Sequence, residues 1–135
     1  MTGLQAISLT LGVSSDWREE HGSWWLAAPG LDARALAQVM LTQQARFVTI
    51  TAVEQHEGFR MDYHWDLDGT LLTFILATES NRIASIADLC LAADWAEREI
   101  HDYFAITFAG RTSEPLMLRA DDKPGINLRP GRPPQ

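Results

Sequence analysis

The chain has 135 residues, 46% of them hydrophobic and 21% charged, with a single cysteine and a formal net charge of −7. That length suits one domain with a real core, and one cysteine excludes an internal disulfide framework. The acidic balance repels nucleic acid and anionic lipid, so neither is an expected partner.

The first residues, Met1-Thr-Gly-Leu-Gln, lack the basic start and apolar core of a secretory signal. No apolar run approaches the roughly 18 residues of a membrane span. A cytoplasmic protein without direct membrane insertion is therefore expected. Residues 4–20 fit a short helix or a strand equally well. "SWWLAA", Ser23 to Ala28, reads as a strand stopped by Pro29-Gly30. Asp32 then caps an amphipathic helix reaching about Gln44, with Leu31, Ala35, Leu36, Val39 and Met40 on one side.

Three strands follow. In "RFVTITAVEQ", Phe47, Thr49 and Thr51 alternate with Val48, Ile50 and Ala52. In "GFRMDYHWDL", Phe59, Met61, Tyr63, Trp65 and Leu67 share one face, and Arg60, Asp62, His64 and Asp66 the other. Asp68-Gly69 is the clearest hairpin turn of the chain, and "TLLTFILAT" returns from it as a more deeply buried strand. This order predicts an α+β domain, an antiparallel sheet of about four strands with helices packed on one face.

"ESNRIASIADL" reads as a loop, and Cys90 beyond it as a buried, inert thiol. Asp94 with Glu97 three residues later forms a capping-box-like start to a helix. Its apolar residues Ala96, Ile100, Tyr103 and Phe104 make one stripe expected to anchor it, with Trp95 at the edge. Glu97, Arg98, His101 and Asp102 fall on a polar side expected to be solvated or interface-facing, where Arg98 and Asp102 pair at i,i+4. "ITFAG" leaves as a short extended segment.

The body, residues 1–118, carries 16 acidic against 7 basic side chains. From Arg119 to Gln135, four basic residues meet two acidic ones, and four of the six prolines cluster there. That composition forms neither helix nor central strand. It reads as an extended tail whose Arg119, Arg129 and Arg132 dock on a partner.

Chemistry is sparse. Glu97 and His101 stand one turn apart, the spacing of half a metal site, but no second cluster of His, Cys or acidic residues completes a shell. No serine lies in an elbow-like glycine frame, no glycine-rich phosphate cradle occurs, and no CxxC pair exists for an iron–sulfur cluster. The residues thus assign no catalytic, cofactor-binding or metal role. One other reading stays open, a stand-alone small-ligand or metal-dependent enzyme using the Glu97/His101/Asp102 helix face.

"AADWAEREIHDYFAITFAG", Ala92 to Gly110, resembles the signature of the thirty-kilodalton subunit, also called the C subunit, of respiratory NADH:quinone oxidoreductase (complex I). The matching positions are Trp95, Glu97, Arg98, Glu99, Asp102, Ile106 and Phe108. The likeness extends over roughly Leu31 to Gly110 and is shared by the equivalent domain of membrane-bound nickel–iron hydrogenases. It implies a scaffold subunit without cofactor or catalytic residue. Such a subunit packs on the large subunit (49 kDa-like or hydrogenase-like) and on iron–sulfur subunits, and so lies peripheral to the inner membrane. The chain departs from the respiratory pattern at Ala105, where Gly is usual, and in "AGRTSEPLML" and "NLRP" beyond it. These departures favour a hydrogenase-type or otherwise divergent complex.

Overall fold

Asp68 and Gly69 both take left-handed backbone angles (φ 53° and 84°), the conformation a two-residue hairpin needs to match the twist of its strands. Asp66 Oδ1 accepts a hydrogen bond from the Gly69 N–H at 2.8 Å and fixes the corner. From it run β4 (Phe59–Leu67) and β5 (Thr70–Thr78), antiparallel and in continuous register from Leu67↔Thr70 to Phe59↔Thr78. This is a computed structural model, and it describes residues 2–111, 123–126 and 128.

Alternation along β4 does what its pattern demands. Phe59, Met61, Tyr63 and Trp65 are all fully buried, facing Leu76, Phe74 and Leu72 of β5. The remaining elements are α1 (Thr2–Leu11), β1 (Arg18–Glu20), β2 (Ser23–Ala27), α2 (Ala33–Thr42), β3 (Arg46–Glu54), β6 (Arg82–Ala84), α3 (Ala93–Phe104) and β7 (Thr107–Ala109). The segment with two possible readings is thus a helix, then a short strand. Asp32 caps α2 as expected, its Oδ2 accepting from the Ala35 N–H at 3.1 Å.

The fold is α+β, but the sheet is mixed and has five strands, in the order β1-β2-β5-β4-β3. β2 lies parallel to β5, with Trp24 opposite Leu72 and Leu26 opposite Phe74. A whole helix and two strands separate the two in sequence, so no turn signal announces their pairing. Leu4 and Ile7 of α1, Leu36 and Met40 of α2, and Ile100 of α3 join the strands' inner side chains in one core. The opposite face carries Trp25, Thr51, His64 and Thr73. There the His64 ring lies between two threonine hydroxyls, 2.8 Å from Thr73 and 3.0 Å from Thr51.

Two local expectations change. β3 does not alternate strictly, because a bulge between Phe47 and Thr49 inserts Val48. The extra residue flips the strand's parity. Phe47 and Ile50 therefore face the core together, opposite Trp65 and Tyr63, while Val48 is 46% exposed. Within the supposed loop, β6 pairs in parallel with β7, Ile83 opposite Phe108, as a separate two-stranded sheet. Cys90 is half-buried against the core.

Candidate site around helix α3

Helix α3 departs at three positions from the polarity its sequence suggests. Glu97 is 1% exposed and Asp102 is fully buried, whereas Trp95 is 68% exposed. Neither acid belongs to a solvated side. A carboxylate so enclosed is tolerable only where donors replace its water, and Glu97 has three. Ser85 Oγ donates to Oε1 at 2.6 Å, the Ile86 N–H donates to Oε2 at 2.8 Å, and Arg111 Nη1 reaches Oε1 at 3.3 Å.

Parallel pairing explains how these groups meet. Ala84 of β6 stands opposite Ala109 of β7, and the Ser85 N–H donates to the Ala109 carbonyl at 2.9 Å. Two strands running the same way deliver Ser85 and Arg111 to the same end, beside the first turns of α3. Arg111 then bridges to Asp94 as well, at 2.5 Å, and Arg98 Nη1 approaches the other Asp94 oxygen at 3.5 Å. From the other side, Arg34 of α2 donates to the Ser85 carbonyl at 2.8 Å and forms a two-pronged pair with Asp88. The Ser85–Ile86 segment is thus gripped by two helices at once.

Burial pushes the Glu97 carboxyl above the usual carboxylate range, against the opposing pull of Ser85, the Ile86 N–H and Arg111. Asp94 goes the other way, held low chiefly by its hydrogen bond from Arg111 and further by Arg98. One helix turn therefore holds two acids displaced in opposite directions by burial and by pairing.

The capping box is absent: the N-cap is Ala92 and makes no side-chain cap bond. Arg98 pairs with Asp94, one turn before it, where Asp102, one turn after it, was the expected partner. Ala96, Ile100 and Phe104 do anchor the helix, Phe104 meeting Phe59 edge-on at 5.9 Å, but Tyr103 stays half-buried. His101 Nδ1 donates to the Ile106 carbonyl at 2.9 Å and so steadies the helix exit. Ala105 ends the helix in a left-handed conformation (φ 57°), the conformation that suits glycine. The Asp102 carbonyl accepts from the Gly125 N–H at 2.8 Å, so chain near residue 125 lies against the end of α3.

Glu97 and His101 thus serve two different contacts, Glu97 with Ser85, Ile86 and Arg111 and His101 with the Ile106 carbonyl, while Asp102 is fully buried. Among the described residues no three His, Cys, Asp or Glu side chains group as metal ligands would. A groove of about 580 Å³ lies elsewhere, between the end of α1 and the start of α2. Its one titratable side chain, Asp32, is the cap of α2.

Of the signature positions, Ile106 and Phe108 are buried, Arg98 is half-buried and Glu99 is exposed. Ser85 and Arg111 carry the site and were not singled out in the sequence. Their only trace there is a serine and an arginine flanking the helix at distances no short motif spans. Arg119, Arg129 and Arg132 lie outside the described residues.

Comparisons with known proteins converge on one family. The sequence profile described as "Respiratory-chain NADH dehydrogenase, 30 Kd subunit" matches residues 31–133. The match starts where the resemblance did and runs past Gly110. The C subunit of NADH-quinone oxidoreductase from Chloroherpeton thalassium is 43% identical over 51 residues, 38% of this chain and 21% of that protein. The C/D subunit of the same enzyme from Phocaeicola vulgatus is 30% identical over 78 residues, 54% of this chain and 15% of that protein. The chain thus aligns with about a fifth or less of these curated relatives.

Two solved structures share the fold. One is a chain of the membrane-bound sulfane sulfur reductase, an archaeal respiratory membrane complex, with TM-score 0.68 and 19% identity over 93% of this chain and 81% of that one. The other is the trypsin-resistant fragment (1–134) of Nqo5, with TM-score 0.61 and 19% identity over 83% of this chain and 98% of that one.

Proposed function

This chain belongs to the family of the 30-kDa subunit of respiratory-chain NADH dehydrogenase, and from that premise we propose that it is a non-catalytic scaffold subunit of a complex I-like oxidoreductase. It docks on the large catalytic subunit and on iron–sulfur subunits of the same assembly, and electrons pass through those neighbours. The observation that carries this reading is the family match over residues 31–133. The structure supports it, because the signature's Glu97, together with the neighbouring His101 and Asp94, stitches the domain together.

Among the described residues no helix is long and apolar enough to cross a membrane. Attachment at the cytoplasmic side of the inner membrane would therefore run through partner subunits. The departures at Ala105 and beyond Phe108 favour a hydrogenase-type or divergent complex over a standard NADH dehydrogenase.

The test is isolation of the tagged chain from native membranes of its host under mild detergent. Recovery of a large hydrogenase-like or 49-kDa-like subunit together with iron–sulfur proteins is expected. A chain that purifies alone, or holds a stoichiometric metal or turns over substrate unaided, would overturn the reading.

A further inference from the structure

Trp95 is the feature that internal packing leaves unexplained. Residues two apart on a helix diverge by about 200°, so anchoring Glu97 inward turns Trp95 outward. It is 68% exposed, and Leu91, four residues earlier in the turn leading into α3, is 82% exposed. Glu99, one turn after Trp95, is exposed and makes no ion pair among the described residues. The first turn beneath this patch is tied down through Asp94 by Arg111 and Arg98. A tryptophan on an ion-paired turn, beside a leucine and an acid that pairs with no described residue, has the composition of an interface anchor.

Resting on the scaffold reading above, we propose that the Leu91–Trp95–Glu99 stripe receives an apolar, arginine-bearing segment of a neighbouring subunit of the same complex. Charge complementarity selects the arginine. The tryptophan face attracts a guanidinium, and the Glu99 carboxylate one turn away is placed to pair with that same group. Leu91 extends the apolar floor for the segment's aliphatic neighbours. The acidic surplus of residues 1–118, 16 against 7, attracts a basic partner at longer range.

Site-specific photo-crosslinking in the intact complex tests this. The tagged chain carrying p-benzoylphenylalanine in place of Trp95 is expressed in the host, and the complex is irradiated and isolated. The expected crosslink joins position 95 to an apolar, arginine-containing stretch of another subunit. Trp95→Ala and Glu99→Arg should each reduce recovery of that subunit by about thirtyfold, with the isolated domain melting as the wild type does. Changing the crosslinked arginine to glutamate should restore recovery with Glu99→Arg. The proposal fails if the crosslink maps to the chain's own residues 119–135 or to a second copy. It also fails if the variants co-purify normally, an outcome that leaves the scaffold reading standing. A wild-type chain that co-purifies with no oxidoreductase removes both.

Discussion

The Ser85 hydroxyl and the Glu97 carboxylate meet at 2.6 Å with both residues shut off from solvent. This contact joins the end of β6 to the second turn of α3. It also explains why an acid from a helix's nominally polar side ends up inside. Deleting Glu97 strands the Ser85 hydroxyl, the Ile86 N–H and part of Arg111 together. Glu97→Ala should cost about 3–5 kcal/mol in chemical denaturation, and Ser85→Ala about 1–3 kcal/mol. Equal, small losses for both would mean that the carboxylate is not the hub of this end of the fold.

The same acid predicts a pH dependence with a definite sign. The folded protein holds Glu97 above the ordinary carboxylate range through burial, so on acidification it binds a proton there before the unfolded chain does. Stability from this group is therefore fully present below the ordinary carboxylate value and is lost as pH rises through the raised folded value. Glu97→Gln cannot titrate. The wild-type melting temperature minus that of Glu97→Gln should fall as pH rises across that window. Taking the difference removes acids such as Asp94, whose low folded value works in the opposite direction. A difference that stays flat or climbs would place Glu97 at or below its ordinary value.

Ala105 adopts φ 57° at the end of α3. A Cβ in that conformation costs about 1–2 kcal/mol, part of which glycine gives back through the freedom of the unfolded chain. Ala105→Gly should therefore stabilise the domain by about 0.5–1 kcal/mol. A loss on this substitution would show that the methyl packing near Gly125 outweighs the backbone strain.

Gly58, just ahead of β4, has φ 75°, and a Cβ there would collide with the backbone of Thr78 and Glu79. Backbone cannot yield as a side chain tip can. Gly58→Ala should cost about 2–4 kcal/mol, visible as a lower denaturation midpoint at unchanged m-value.

The Tyr63 hydroxyl is buried with no hydrogen-bond partner among the described residues, and burial pushes the phenol far above its ordinary value. Phenylalanine keeps the ring and removes the unmatched group. Tyr63→Phe should leave stability equal or raise it by about 1 kcal/mol. A clear destabilisation would reveal a bound water serving that hydroxyl.

Much of the fold is legible from neighbours in sequence. The Asp68-Gly69 corner, the alternation of β4 and the Asp32 cap each depend on residues within a few positions of one another. The family signature is legible too, since it is a run of residue types at fixed spacing. Less legible is what those residues do. Polarity marks Glu97 as outward-facing and Trp95 as half-hidden, and the folded chain reverses both. Val48 misleads in the same way, because a bulge is decided by the partner strand and leaves no mark in the alternation itself.

By itself, then, the sequence determined the elements set by local periodicity and turn chemistry, an α+β class, and the family to which the chain belongs. Tertiary structure alone decided the parallel union of β2 with β5, the five-stranded order, and the enclosure of Glu97 by Ser85 and Arg111. The reason is physical. A charged side chain goes inside only when donors are waiting there, and those donors come from strands whose meeting point is set by burial of distant apolar faces rather than by spacing along the chain.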